Sequence, residues 1–310
     1  MKTSNRAQTS YAARTKNPWS SIILRTLLLL ITAAVGSMFI VACGSESENT
    51  ESQSNDSSEK RVVALDWRYE EILVALGVEP VGIVEIGQSM VPQTLEGKLD
   101  GVTSVGQAKQ PNLEVIQSLE PDLILASPTR QEAIIPQLEE IAETKAYSDA
   151  SYVDVLDSMD DIVKQLGKED EAKEVRQRIE DKIEQAKEVV EPGTRTALIG
   201  WSKNTLYTWI EKSFPGSLLE AVGYDYGYTG ERSAIESKTD VAELTGDKLP
   251  EMNLNMMYLY NDIEGFRSSP YADVVAEIVD VEQDTWSRSR GPLAAEAMLD
   301  QIIETAQAQS

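Results

Sequence analysis

Residues 106–127 constrain the fold more than any other part of this 310-residue chain. Asn112 is placed to cap a helix, because its side chain can accept from the orphan amides of a first helical turn. Leu113, Ile116 and Leu119 follow at helical spacing and predict one short helix with an apolar face. Pro121 stops it, having no amide to donate. Leu123-Ile124-Leu125-Ala126 is then a continuous apolar run of strand length, the pattern of a parallel strand buried on both faces. Pro128, Thr129 and Arg130 follow in the next loop. Ligands of open α/β sheets bind at the carboxyl ends of the strands, which makes Arg130 the first candidate contact.

The alternation extends in both directions. Residues 61–65 read as a short strand, the next helix ends near Gly77, and residues 80–84 form a second strand. Residues 131–142 and Lys145-Ala146-Tyr147 continue the helix and strand order, which predicts a parallel sheet. Tyr152, Leu156, Met159, Val163 and Leu166 step by helical intervals. After Gly167 the pattern resumes at Ala172, Val175, Ile179, Ile183, Ala186 and Val190, and Pro192-Gly193 ends it. A helix of about 22 residues would span roughly 33 Å. A coiled-coil dimer is the competing reading of this helix, though the heptads are few. Beyond it, residues 196–200, 205–210 and 256–260 read as strands, 215–223 as a helix and 292–306 as a closing amphipathic helix.

The first 42 residues carry Lys2, Arg6, Arg14, Lys16 and Arg25 and no acid, and residues 27–42 are apolar apart from Thr32, Gly36 and Ser37. That is the layout of a targeting signal. The run ends Ile40-Val41-Ala42-Cys43, which resembles a bacterial lipoprotein cleavage box, with Cys43 the only cysteine. A signal anchor with a buried cysteine is the alternative. Residues 44–60 hold no large apolar side chain, so they read as a flexible tether. Without residues 1–42, 23 basic side chains face 52 acidic ones, a formal charge of −29. Such a surface excludes non-specific nucleic-acid binding, which needs clustered positive charge.

Histidine is absent, which removes Ser-His-Asp and Cys-His catalysis and disfavours a zinc or manganese site. No Gly-rich phosphate loop of the G-x-x-x-x-G-K type occurs. The predicted strand ends carry aromatics and arginines instead. Trp67, Arg68 and Tyr69 follow the first strand, and Trp201, Tyr224, Tyr226, Tyr228 and Arg232 lie in or beside later loops. Trp286, Arg288 and Arg290 precede Gly291-Pro292. Guanidinium forks suit the oxygens of a bulky anionic complex and aromatics cover its apolar rim. Packing of Trp67 and Trp201 between lobes, and a solvated helix position for Arg68, stay open as alternatives.

Pro-Asn-Leu-Glu followed by Pro121-Asp122-Leu123-Ile124 resembles the N-terminal lobe of iron-siderophore and cobalamin substrate-binding lipoproteins of ABC importers. The stretches 206–223 and 286–295 and the start at 61–65 match in the same order, so the resemblance covers about 250 residues. It implies an α/β fold of two lobes, each a small, mostly parallel sheet flanked by helices, joined by one long rigid helix. The expected divisions are a signal peptide at 1–42, a tether at 43–60, lobes at 61–166 and 193–310, and the linking helix at 167–192. It also implies a monomer without cofactor that holds a ferric-siderophore-type complex between the lobes, with Arg130 in contact with it. Glu114 and Glu220 match the positions that dock such lipoproteins to a permease dimer. A haem or cobalamin carrier, and a surface lipoprotein hydrolase, are the competing functions.

If Cys43 is the lipidated first residue of the mature protein, Cys43→Ala should leave the chain unprocessed or release it from the membrane. A variant processed and membrane-held like the wild type would remove the assignment, and fractionation with anti-tag blotting reads the outcome.

Overall fold

A computed structural model describes residues 59–148, 150–230 and 240–309. Cys43, nearly all of the tether and Arg232 lie outside the described residues.

The first sheet is built from β1 (Val62–Ala64), β2 (Gly82–Glu85), β3 (Thr103–Gln107), β4 (Gln110–Pro111), β5 (Leu123–Ala126) and β6 (Glu143–Ala146). Its order is β4-β3-β2-β1-β5-β6, and every pairing is parallel except that of β3 with β4. Two helices follow the predicted pattern, α1 (Trp67–Ala75) after β1 and α2 (Leu113–Ser118) before β5. Asn112 caps α2 by accepting from the amides of Glu114 and Val115 at 3.0 and 3.2 Å. The order of strands reverses at β1, whose two neighbours are β2 and β5. In open α/β sheets ligands bind at such a switch point, outside the carboxyl ends of the strands, here those of β1 and β5.

Side chains alternate across β1 and β5, and both faces are covered. Val63, Leu65, Ile124 and Ala126 pack with Val84, Val105, Ile116 and Leu138. Val62, Ala64, Leu123 and Leu125 join a cluster that continues without a break into the second half of the chain. This is why the strands read as uninterrupted apolar runs rather than alternating ones.

After the short α3 (Ile135–Glu139), α4 (Tyr152–Leu166) opens on a capping box between Ser151 and Asp154 and closes on Gly167 in the left-handed region. The helix α5 (Glu169–Val189) has 21 residues, and Ala172, Val175, Ile179, Ile183 and Ala186 form its buried stripe, as the spacing predicts. β7 (Arg195–Thr196) pairs with β10 (Asp225–Tyr226) beside the second sheet. That sheet holds β8 (Leu198–Ser202), β9 (Thr205–Trp209), β11 (Val241–Thr245), β12 (Met256–Asn261) and β13 (Glu277–Asp280), in the order β11-β9-β8-β12-β13.

The second sheet departs from the expected mostly parallel pattern: β12 pairs in parallel with β8 and β13, but β9 runs antiparallel to both β8 and β11. The cause is local. Lys203 and Asn204 both take positive φ, at 50° and 68°, giving the two-residue turn whose twist suits a hairpin. Helix α6 (Phe214–Ala221), capped by Ser213, and the short α7 (Ile263–Arg267) flank this sheet. The closing helix α8 (Pro292–Gln309) lies along α5, with ion pairs Arg178–Glu296 and Lys182–Asp300 between them. Among the described residues no helix is long and apolar enough to cross a membrane.

Candidate functional site

The switch point is occupied by a buried carboxylate among arginines. Asp66, the residue after Leu65, caps α1 by accepting from the Arg68 amide at 3.1 Å. Its other oxygen forms an ion pair with Arg130 and lies 3.9 Å from the Arg290 guanidinium. Asp66 has no exposed surface, and the side chains of Arg130 and Arg290 are only 17% and 8% exposed. Arg68 is buried as well, its guanidinium 4.4 Å from the centre of the Tyr69 ring. Burial by itself would raise the Asp66 carboxyl, but Arg130, Arg68 and Arg290 together hold it below the usual carboxylate range.

Each arginine is placed by a different device. Arg68 belongs to the first turn of α1, directly after β1. Arg130 sits on the loop after β5, and the neighbouring Gln131 anchors that loop. The Gln131 side chain accepts from the Ser127 amide at 2.6 Å and donates to the carbonyls of Leu65 and Ala108. Arg290 comes from the other half of the chain, at the end of a π-helical segment over Asp284–Ser289. It takes φ 59°, an uncommon value for a side chain of this size, and its guanidinium lies 6.0 Å from the Trp209 ring centre. Gly291 follows because a Cβ there would fall 2.3–3.0 Å from the Glu71 side chain.

That contact belongs to a second buried feature. Glu71 of α1 accepts from the Ala294 amide in the first turn of α8 at 2.9 Å and from the Thr94 hydroxyl. A carboxylate from one half of the chain thus caps the positive end of a helix from the other. Burial raises Glu71 to about 7, against the pull of its hydrogen bonds from Thr94, Ala294, Gly291 and Ser289. Its neighbour Glu70 accepts from the Val84 amide at 3.0 Å. Burial, with the charges of Asp66 and Glu71, holds Glu70 well above its ordinary value.

A family model described as periplasmic binding protein matches residues 62–252, which take in the first sheet, the arginine loop after β5, and β8, β9 and β11 of the second sheet. The chain belongs to the periplasmic binding protein family. YhfQ of Bacillus subtilis (strain 168), provisionally assigned as an ABC transporter substrate-binding lipoprotein, is 28% identical over 90% of this chain and 97% of its own length. The Fe(3+)-citrate-binding protein YfmC of the same organism is 26% identical over 92% of this chain and 98% of its own. Staphylococcus aureus SirA, in a crystal structure with staphyloferrin B, superposes with a TM-score of 0.67 at 23% identity, covering 80% of this chain and 93% of that one. That last likeness is one of fold.

Within this periplasmic binding protein fold, the residues singled out in the sequence divide into two groups. Arg68 and Arg130 are brought together at Asp66, where Arg290 joins them. Arg288 pairs with Asp284 at 2.6 Å, and its guanidinium lies about van der Waals distance from where a Cβ on Gly87 would be, at 3.5 Å. The aromatics serve packing instead. Trp67 donates to the Val84 and Met90 carbonyls, and Tyr69 donates to the Ala126 carbonyl while accepting from the Tyr147 amide, so these rings tie strand ends together. Trp201 meets Phe266 and Tyr271 edge-on, and Trp286 stacks on Tyr258 and donates to Gln301. All four are 2% exposed or less, so none presents a ring face to solvent. Tyr224 meets the Tyr258 hydroxyl at 3.3 Å, and the Tyr226 hydroxyl accepts from the Leu198 amide. Glu114 and Glu220 are exposed on α2 and α6, with Ile116, Leu218 and Leu219 buried beneath them.

The residues not singled out beforehand are Glu71 and Gln131, together with the pairing role of Asp66. An acidic residue at the end of a strand was visible, but 52 acidic side chains offer no local mark for the few that are buried.

Glu71 sets a pH dependence whose sign is definite. Its value in the folded chain is about 7 against an ordinary 4.5, so between those limits the folded chain alone keeps the proton. The stability it contributes is full below pH 4.5 and lost as pH rises through about 7. Glu71→Gln is expected to remove this loss, gaining up to about 3 kcal/mol over the wild type on going from acid to pH 8. Urea denaturation of both proteins across that range measures it, and a difference that does not change with pH would refute the assignment.

Proposed function

We propose that this chain is the extracytoplasmic substrate-binding component of an ABC importer and that it captures a ferric complex with carboxylate ligands, of the citrate type. The observation that carries this reading is the convergence of Arg68 and Arg130 from one half of the chain with Arg290 from the other, around one buried carboxylate. Guanidinium groups bind carboxylates through paired, charge-assisted hydrogen bonds, and such a cluster suits a ligand with several of them. The strongly acidic surface elsewhere would repel a polyanion, so the arginine crevice is where it would be held. The names of YfmC and YhfQ support the cargo and the transport role. Arg288, beside the Gly87 turn, is a further candidate contact at the rim.

In this reading the protein carries its cargo unchanged and works as a monomer, held to the extracytoplasmic face of the membrane by a lipid on Cys43. The helix α5 links the lobes, and the shared apolar core beneath them limits closure to a small movement. Delivery runs through Glu114 and Glu220, exposed on helices whose buried sides fix them to separate lobes.

Arg130→Ala is expected to weaken ferric-citrate binding by roughly 10- to 150-fold, the range of a charge-assisted hydrogen bond. Titration of tryptophan fluorescence measures it, and unchanged affinity in a folded variant would sink the assignment. Glu114→Arg/Glu220→Arg should bind ferric citrate as the wild type does, yet fail to support uptake in cells, since like charges would then face the permease. Normal uptake by the well-expressed double variant would exclude the docking role.

A further inference from the structure

We infer that Asp66 is a built-in occupant of the arginine cluster, which holds the place of a ligand carboxylate and makes the site selective for complexes bearing several carboxylates over small anions. The inference rests on the reading of the cluster as the ligand site and adds a specificity-determining residue to it.

The two oxygens of Asp66 have separate tasks. Oδ1 caps α1 through the Arg68 amide, a contact that any good capping side chain would make. Oδ2 has no part in the cap. It faces Arg130, to which it is hydrogen bonded, and Arg290 at 3.9 Å. This oxygen therefore sits between guanidiniums contributed by the two halves of the chain, the position an oxygen of a captured carboxylate would take. Three cationic side chains gathered out of water strongly oppose one another unless an anion lies among them, and removing the anion from such a cluster is costly. Asp66 supplies that anion from within the chain.

The consequence for selectivity follows from exchange. An incoming single carboxylate that replaces Asp66 at Arg130 swaps one ion pair for another and gains little. Asp66 offers one oxygen, Oδ2, to both Arg130 and Arg290, the latter only at 3.9 Å, whereas a ligand with several carboxylates can give each guanidinium an oxygen of its own. Arg130 is the most exposed of the three, with 17% of its side chain open, and is the natural place for the exchange to begin. Simple anions such as acetate or sulfate are thereby kept out, while a complex with several outward carboxylates is admitted.

Asp66→Asn tests this, because asparagine also caps helices well and keeps the shape while removing the charge. Thermal unfolding is followed in a low-salt buffer with added acetate, sulfate or ferric citrate, and ferric-citrate affinity is titrated in parallel. The wild-type midpoint should respond to ferric citrate and not to acetate or sulfate. The Asp66→Asn midpoint should be lower without anions and rise with acetate and sulfate. Its preference for ferric citrate over acetate should narrow by roughly tenfold or more. A folded Asp66→Asn protein as indifferent to acetate and sulfate as the wild type overturns the inference, and so does one whose preference for ferric citrate over acetate is unchanged. If Asp66→Asn does not fold in any buffer, Asp66→Asn/Arg130→Gln decides, since it removes one charge of each sign. Recovery of folding without added anions supports the counter-ion role, and failure of the double variant overturns it. Failure of the underlying reading shows separately, as a wild type that does not bind ferric citrate or an Arg130→Ala variant that binds it unchanged.

Discussion

The ion pair between Asp66 and Arg130 is the interaction on which the arrangement at the switch point depends. It joins the connections that leave β1 and β5, two parallel strands whose ends would otherwise diverge. The same aspartate caps α1, so the start of that helix and the loop after β5 are positioned by one side chain. Gln131 reinforces the geometry with uncharged hydrogen bonds to the Leu65 and Ala108 carbonyls. A charge pair alone could rotate about its contact. The amide of Gln131, tied to three backbone segments, removes that freedom.

The two halves of the chain meet through contacts of opposite character. One is apolar and continuous, running from Val62 and Leu125 through the stripe of α5 to Leu198 and Tyr258. The other is the carboxyl of Glu71 at the first turn of α8. Burial of apolar surface is insensitive to direction and would allow the halves to slide. The hydrogen bonds to Glu71 are directional and set where α8 begins relative to α1. Gly291 is part of the same fit, because any larger residue would strike Glu71. Arg290 precedes that glycine, so the contact that joins the halves also delivers the third arginine to Asp66.

Buried charge is concentrated in a small part of a very acidic protein. Asp66, Arg68, Glu70 and Glu71 occupy a single short segment, and all are without exposed surface. Their ionisation is pulled in opposite directions: Asp66 is held charged by arginines, whereas burial pushes Glu70 and Glu71 toward the protonated form. Neighbours one or two residues apart in the chain thus have different chemistry because the helix turns them toward different partners. Across the rest of the surface, paired charges such as Lys173–Asp170 are exposed and screened by solvent, and contribute little to stability.

Most of the secondary structure was legible in local patterns. Asn112 and Pro121 bracket a short helix, Gly167 separates two longer ones, and the apolar stripe of α5 follows its spacing from Ala172 to Ala186. Arg130 was legible too, because a loop after a buried parallel strand has a known place in such sheets. The hairpin of β8 and β9 was not, since Lys203-Asn204 lacks the glycine that usually marks a turn with two positive φ values. An exposed ring and a core ring look alike along a chain, so the sequence leaves Trp67 and Trp201 open between a cleft and a packing role. Only the packed structure turns Trp201 onto Phe266 and stacks Trp286 on Tyr258. The partners of Asp66 and Glu71 lie furthest from any local reading. Ala294 is 223 residues from Glu71, and no period or cap relates them. Helices and strands arise from interactions between near neighbours in the chain, which leave their mark in composition and spacing. The choice of which few carboxylates are buried, and against which arginines, was decided by packing between distant segments.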